Sequence, residues 1–151
     1  MYKKRKVREL AMQVLFMWDT AGSSELELGQ QFIREGCDDP EVRRQALQWA
    51  TAAWEQRQIT DARVEQLAPQ WPTRRQPGVD RNIIRLAAWE LSHGHTPPKV
   101  TIDEAIEMAK EFSTEQSAAF VNGVLDAMLK ENEKLTAEPN LIPSPGTPGE
   151  G

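Results

Sequence analysis

Apolar residues recur at helical spacing along most of this chain, and this periodicity constrains its fold more than any other feature. The first apolar stripe begins with Val7, Leu10 and Ala11 and continues turn by turn to Trp18, which is typical of a helix that buries one face. No segment shows the sustained alternation of apolar and polar residues that a half-buried strand requires. We therefore predict an all-α protein of about seven helices, packed as one or two bundles.

Capping residues indicate where several of these helices begin. Asp39–Pro40 combines a carboxylate that accepts free amide protons with a proline at the first helical position. Three other pairs have the spacing of a capping box: Ser24 with Glu27, Thr101 with Glu104, and Ser113 with Gln116. The helix that begins after Asp39 is predicted to break near residues 58–60, and Gly94 is predicted to terminate a later helix.

The composition changes after residue 135, and this change predicts a boundary. Residues 136–151 contain four prolines interspersed with glycine and serine, and few apolar side chains remain there. Such a segment cannot bury enough apolar surface to offset its ordering entropy. We expect one helical domain at residues 1–135 and a disordered, dispensable tail at residues 136–151, with a short linear motif in the tail as the alternative.

The residue types that common catalytic and metal sites require are scarce. Cys37 is the only cysteine, so neither an intrachain disulfide nor a cysteine-built metal site is possible. The only histidines, His93 and His95, lie together in one short segment, and no glycine-rich phosphate loop occurs. No apolar run reaches the roughly 18 residues of a membrane span. We expect a cytoplasmic protein that is not an enzyme and holds no metal or cofactor.

The net charge is −5, but basic residues are concentrated at the N-terminus. Five of the first eight residues are cations: Lys3, Lys4, Arg5, Lys6 and Arg8. On a helix, such a cluster is suited to tracking the phosphates of RNA. From charge alone, a solvated end that only aids solubility is an equally good interpretation.

Four blocks of sequence resemble, in order and spacing, the signatures of the NusB family. They are RELAMQVLF at 8–16, VDRNIIRLAAWEL at 79–91, PKVTIDEAIEMAK at 98–110 and FVNGVLD at 120–126. The resemblance spans residues 3–129 and implies an all-α fold of two helical subdomains. It also implies a transcription antitermination factor that binds the boxA element of nascent ribosomal RNA. The implied partners are the ribosomal protein NusE and the antitermination complex of RNA polymerase.

The resemblance further implies which residues make these contacts. The RNA-contacting N-terminus of the family matches Arg5, Lys6 and Arg8, and Lys3 and Lys4 are RNA-binding candidates of the same cluster. Phe120 matches a base-contacting position. Lys99 and Gln116 fall near the same surface, although Gln116 departs from the acidic residue found there in some members. The positions that face NusE correspond to Phe16, Val79, Asp80 and Ile83.

Several of these residues also have a purely structural interpretation. Phe120 begins an apolar stripe that continues through Val124 and Leu125, which taken alone favours a core residue, and the same holds for Phe16. The tryptophans at 49, 54, 71 and 89 are predicted to lie in or near the core. Gly123 costs about 1 kcal/mol relative to alanine inside a helix. We attribute it to close helix packing, with a flat RNA surface beside Phe120 as the alternative.

Two other functions are compatible with the sequence. NusB-like domains also precede the catalytic domain of RNA cytosine-5 methyltransferases, so the chain is alternatively a stand-alone relative of such a domain. The second alternative is a helical adaptor that binds only proteins. Salt-sensitive RNA binding distinguishes the RNA-binding interpretation from this adaptor.

Overall fold

The computed structural model describes residues 2–22, 25–93 and 95–137, and these residues form seven α-helices and no strand. The helices are α1 (Tyr2–Ala21), α2 (Leu26–Gly36), α3 (Pro40–Glu55), α4 (Arg57–Leu67), α5 (Gly78–His93), α6 (Pro98–Phe112) and α7 (Glu115–Ala137). A single 3₁₀ turn at Thr73–Arg75 lies between α4 and α5. The predicted all-α fold is confirmed. None of the described helices is both long and apolar enough to cross a membrane.

The helices pack as two groups that α5 joins. In the first group α1 lies mainly against α3, and α2 packs on both, whereas in the second group α6 lies mainly against α7. Helix α5 contacts α1 and α3 as well as α6 and α7. One apolar core therefore runs through both groups, with Trp18, Ile83 and Leu125 essentially fully buried. Burial of each such side chain contributes roughly 1.5–3 kcal/mol or more.

Proline and short polar side chains set the helix starts. The Asp39 carboxylate accepts hydrogen bonds from the amides of Glu41 and Val42, as predicted. The predicted start at Thr101 is wrong, because Pro97 and Pro98 fix the helical φ three residues earlier and α6 begins there.

The start predicted at Ser113 is also wrong, by one residue. The Thr114 hydroxyl, not that of Ser113, accepts the amide proton of Ser117, at 2.9 Å, and α7 begins directly after Thr114. Gln116 therefore lies in the first turn of α7, with its side chain exposed.

Other predicted boundaries differ by a few residues or lie outside the described ranges. Helix α2 begins after Glu25 without a side-chain cap, and Ser24 lies outside the described residues. The break after α3 falls at Gln56, two residues before the predicted position. Helix α5 ends at His93, and Gly94 lies outside the described residues. Of the predicted tail, 136–137 continue α7 and 138–151 lie outside the described residues.

Candidate nucleic-acid interface

The exposed part of the N-terminal cation cluster lies along the first turn of α1. The Lys3 ammonium is 3.2 Å from a carboxylate oxygen of Asp39, and Arg5 donates two hydrogen bonds, of 3.1 and 2.9 Å, to Glu104 of α6. The side chains of Lys3 and Arg5 nevertheless remain 67% and 61% exposed. Lys4 is exposed as well, and Lys6 is partly exposed. A phosphate can therefore reach these cations from solvent.

The two acidic partners stay charged at neutral pH. The hydrogen bond from Arg5 holds the pKa of the Glu104 carboxyl below its ordinary value, and the hydrogen bond from Lys3 does the same for the pKa of Asp39. An incoming phosphate must therefore compete with two carboxylates for these cations. Because the cation of each pair is largely solvent-exposed, the competition costs little.

Arg8 does not share this surface. Its side chain is buried, and the guanidinium donates hydrogen bonds of 3.1 and 2.6 Å to the two carboxylate oxygens of Glu90 on α5. Glu90 is itself only 1% exposed. The structure thus contradicts the prediction that Arg8 contacts RNA, because the Arg8 guanidinium is buried in an ion pair with Glu90 that joins α1 to α5.

Phe120 forms an aromatic pair with Trp71 at the surface of α7. The ring centroids are 5.5 Å apart and the planes are tilted by 32°. Phe120 is half-buried against the core, so the core and surface interpretations are each partly right. Trp71, which the sequence placed in or near the core, is 48% exposed, and that prediction is wrong. The other three tryptophans of that prediction are buried or half-buried.

The backbone around Trp71 explains why its indole projects outwards. The Trp71 amide donates to the carbonyl of Ala68 at 2.9 Å, and the Trp71 carbonyl accepts from the Gln76 side chain at 3.2 Å. These bonds close a tight turn after α4 that leaves the Trp71 side chain 48% exposed. The indole lies against Phe120.

A shallow cleft of about 220 Å³ opens beside the aromatic pair, and Gly123 lies in its lining. A β-carbon added at Gly123 would meet no atom of the described residues within 4 Å. The close-packing explanation of this glycine is therefore wrong, and the alternative of a flat surface beside Phe120 fits the geometry. Ala119 and Ala127, one turn to either side, also line the cleft.

Lys99 and Gln116 are both exposed, at the starts of α6 and α7. Within residues 2–22, 25–93 and 95–137, no hydrogen bond, ion pair or ring contact links Lys99, Gln116 or Phe120 to the N-terminal cations. The candidate interface thus consists of two parts, one cationic and one aromatic.

A separate apolar groove of about 630 Å³ lies beside Phe16, which is 41% exposed. Its other lining residues come from α1, α2, α5 and α6 and include Met12, Met17, Phe32, Val79 and Phe112. A β-carbon at Gly78 would lie 2.8 Å from the Phe16 ring. Only glycine therefore lets this ring lie across the start of α5. No sequence pattern had pointed to Gly78.

Two residues predicted to face the partner are not accessible. Asp80 is 2% exposed and Ile83 is 0% exposed. Direct contact through either side chain is therefore contradicted by the structure. Asp80 and Ile83 lie in the first turns of α5 and, like Asn82, are buried. Val79 is half-buried and lines the groove.

A polar network fixes the start of α5 relative to α1 and α4. Arg81 and Asn82 both donate to one carboxylate oxygen of Asp19, at 2.8 and 3.0 Å. Arg85 donates to both carboxylate oxygens of Asp61, at 3.0 and 2.6 Å. This network, which sequence reasoning missed, positions the groove and the turn that carries Trp71. The spacing of Arg81 and Arg85 by four residues within an apolar helix was the available signal.

Acid should weaken this network through Asp19. Burial alone would raise the pKa of Asp19, but hydrogen bonds from Arg81 and Asn82 and the charge of Arg85 outweigh it, so the pKa lies below its ordinary value of 3.8. A carboxyl whose folded pKa is depressed contributes stability above its unfolded pKa and loses it as pH falls through the folded pKa. We expect urea unfolding of the wild type to lose more stability between about pH 5 and pH 2 than unfolding of Asp19→Asn. Parallel pH profiles for the two proteins would contradict this role of Asp19.

The described residues form a small helical protein with exposed cations on α1, an aromatic pair on α7 and a separate apolar groove beside Phe16. The chain belongs to the NusB family, whose profile matches residues 5–130.

Curated relatives named transcription antitermination protein NusB cover most of the chain. The relative from Solibacter usitatus is 38% identical over 146 residues, which is 95% of this chain and 100% of the relative. The relative from Sorangium cellulosum is 41% identical over 120 residues, 79% of this chain and 86% of the relative.

Solved structures share the fold. NusB of T. maritima has a TM-score of 0.74 and 33% identity, covering 87% of this chain and 96% of that chain. A crystal structure of antitermination factors NusB and NusE in complex with dsRNA has a TM-score of 0.79 and 26% identity, covering 87% of this chain and 98% of that one.

Proposed function

We propose that this protein is a transcription antitermination factor that binds boxA-type RNA of nascent ribosomal RNA transcripts together with the ribosomal protein NusE. The observation that carries the proposal is the Trp71–Phe120 pair, in which the Trp71 indole is exposed, on the same molecule as a solvent-exposed cation cluster. The similar fold of a NusB solved with NusE and RNA supports it. The proposed activity is binding rather than catalysis, and it operates in the cytoplasm, where the transcripts are made.

Each part of the interface has its own task in this proposal. Lys3, Arg5 and Lys6 neutralise phosphates, and this electrostatic attraction carries no sequence information. Trp71 and Phe120 stack on an unpaired base, an interaction worth roughly 1–3 kcal/mol. Lys99 and Gln116, both exposed, flank the RNA as a further charge and a hydrogen-bonding amide.

The groove beside Phe16 is the proposed site of NusE. An apolar groove with a half-exposed aromatic is suited to receive apolar side chains of a partner. Val79 contributes to its lining, whereas the buried Asp80 and Ile83 support the start of α5 from within. The whole activity is assigned to the helical domain predicted at residues 1–135, and none of it to the tail at 136–151.

A titration of labelled boxA-type RNA, with and without NusE and at several salt concentrations, tests the proposal. We expect modest affinity alone and tighter binding with NusE. Each phosphate contact contributes about −0.7 to the slope of log affinity against log salt for single strands. A variant with Lys3, Arg5 and Lys6 all replaced by alanine should therefore flatten the slope by about 2.

The matched control replaces Lys110, Lys130 and Lys134, three exposed lysines of α6 and α7, by alanine. It removes the same total charge but should leave the slope close to that of the wild type. Equal flattening in both variants would reduce the N-terminal cluster to a general charge effect. Binding of NusE without any binding of RNA would replace the proposal by the adaptor that binds only proteins.

A further inference from the structure

A second cleft opens beside Lys4, between the start of α1, helix α3 and the end of α5. Its volume is about 390 Å³, within the usual range for small-ligand sites. Its lining includes Lys4, Arg44, Gln48, Trp89 and His93, and no carboxylate of the described part of the chain lines it. By contrast, the cleft beside Lys3 and Lys6 is lined by three acidic residues, Glu35, Asp38 and Asp39. The cleft beside Lys4 is therefore the one of these two that suits an anion.

One wall of this cleft consists of stacked rings. The indole of Trp89 and the imidazole of His93 are nearly parallel, with an angle of 11° and a centroid distance of 6.2 Å. Trp49 packs against Trp89 from α3, with a centroid distance of 5.4 Å. His93 is exposed, and its Nε2 lies 3.2 Å from the side-chain nitrogen of Gln56, which steadies the ring. An exposed ring supported by a second ring is a platform for a planar base.

The charge in the cleft comes mainly from Lys4. Its ammonium lies 5.1 Å from the centroid of the Trp49 ring and donates a 2.6 Å hydrogen bond to the side-chain carbonyl of Gln45. This partner is neutral, although the charge of Lys4 also acts on the Glu41 carboxylate that Gln45 contacts. Arg44 adds a second cation at the rim, although it also pairs with Glu41.

We propose that this cleft binds one nucleotide, with its base on the His93–Trp89 stack and its phosphate at Lys4 and Arg44. The nucleotide is an unpaired residue of the bound RNA, adjacent to the segment that the cation cluster tracks. This assignment rests on the proposed function. Lys4 lies between Lys3 and Arg5 on α1, so RNA held by those two cations passes beside this cleft. A free mononucleotide offers the same chemistry, and the experiment separates the two sources.

The five tryptophans allow one NMR experiment to test the cleft and the proposed function separately. The indole N–H signals of Trp49 and Trp89 report on the cleft, and that of Trp71 reports on the proposed RNA face. Trp18 and Trp54, both buried, serve as internal controls. The ¹⁵N-labelled protein is titrated with boxA-type RNA carrying a few extra nucleotides at each end, with AMP, and with inorganic phosphate.

We expect the RNA to shift the signals of Trp89 and Trp71 together, with phosphate producing no shift of Trp89. A saturable shift of Trp89 by AMP but not by RNA would overturn the assignment to RNA and identify a mononucleotide site. A shift of Trp71 alone would overturn the cleft and leave the proposed function intact. An equal shift by phosphate would mean an anion site without base recognition, and RNA that shifts neither signal would overturn both proposals.

The variant His93→Ala tests whether the stacked rings of His93 and Trp89 bind the RNA base. His93→Ala should weaken binding of the extended RNA about fivefold or more, the lower end of the effect of a base-stacking residue. It should leave the melting temperature unchanged, because His93 is exposed. The control Gln31→Ala, at an exposed position of α2 outside this cleft, should change neither quantity. RNA trimmed to the boxA core should bind wild type and His93→Ala equally, and a deficit of His93→Ala on that RNA would overturn the placement of the flanking nucleotide.

Discussion

Glu90→Leu is expected to reduce the free energy of unfolding by about 3–5 kcal/mol, because it leaves the Arg8 guanidinium buried without a partner. In the wild type both side chains are almost completely buried and share two hydrogen bonds, of 3.1 and 2.6 Å. Two weaker contacts of Arg8 would remain among the described residues, a 3.4 Å hydrogen bond to the Thr96 hydroxyl and the Trp49 ring, whose centroid is 5.7 Å away. Urea unfolding monitored by circular dichroism measures the loss directly.

The double variant Arg8→Met/Glu90→Leu is the control for this prediction. Replacing both charges by apolar side chains of similar volume is often neutral or stabilising, so most of the lost stability should return. RNA affinity of the double variant should equal that of the wild type, since Arg8 is buried. A well-folded double variant that binds RNA as poorly as the N-terminal triple variant would show that Arg8 reaches the RNA after all.

The sequence pattern of α1 indicates that Arg8 is buried, but it does not indicate which carboxylate pairs with Arg8. Arg8 is followed by Ala11, Met12 and Leu15 at the spacing of one helix face, and all of these are buried. A lone charge on an apolar face predicts a buried ion pair. Which carboxylate completes the pair depends on how α1 crosses α5, and no pattern within α1 encodes that. Lys4 and Arg5 share the helix face of Arg8 but lie one turn earlier, at the exposed start of α1.

Helix starts were predictable where one local signal acted alone. Asp39–Pro40 is such a case, and the cap formed as expected. At the start of α6, the proline pair 97–98 and the capping box at Thr101 predict different first residues. The helix begins at the prolines, because the proline ring fixes the backbone φ before folding. Thr101 is then buried inside the helix, with its hydroxyl unpaired among the described residues.

Sequence periodicity could not predict whether the Trp71 side chain is buried or exposed. Trp71 lies between Pro69 and Pro72, outside any helix, so no stripe tells which way its side chain points. Its hydrophobicity favoured the core, but its contact with Phe120 depends on α7, about 50 residues later in the chain. The position of the Phe16 ring likewise depends on a distant residue, because a β-carbon at Gly78 would lie 2.8 Å from it.

Trp71→Ala is expected to weaken RNA binding by about 1–3 kcal/mol, roughly 5- to 150-fold, while changing stability little. The indole is 48% exposed, so its removal uncovers little core. Phe120→Ala should weaken binding similarly but also lower the melting temperature, because Phe120 is half-buried against the core. RNA titration and thermal unfolding of the same preparations separate the two effects. Ile59→Ala, which removes an apolar side chain 69% exposed on α4, is the matched control and should leave RNA affinity unchanged.

The double variant Trp71→Ala/Phe120→Ala tests whether the two rings act as one platform. Residues in contact that serve the same ligand have non-additive effects. Because the rings lie 5.5 Å apart, removing one also removes the support of the other. The loss of RNA affinity in the double variant should therefore be clearly smaller than the sum of the single losses. Fully additive losses would mean that the rings contact separate bases, and folded single variants with wild-type affinity would remove the pair from the RNA interface.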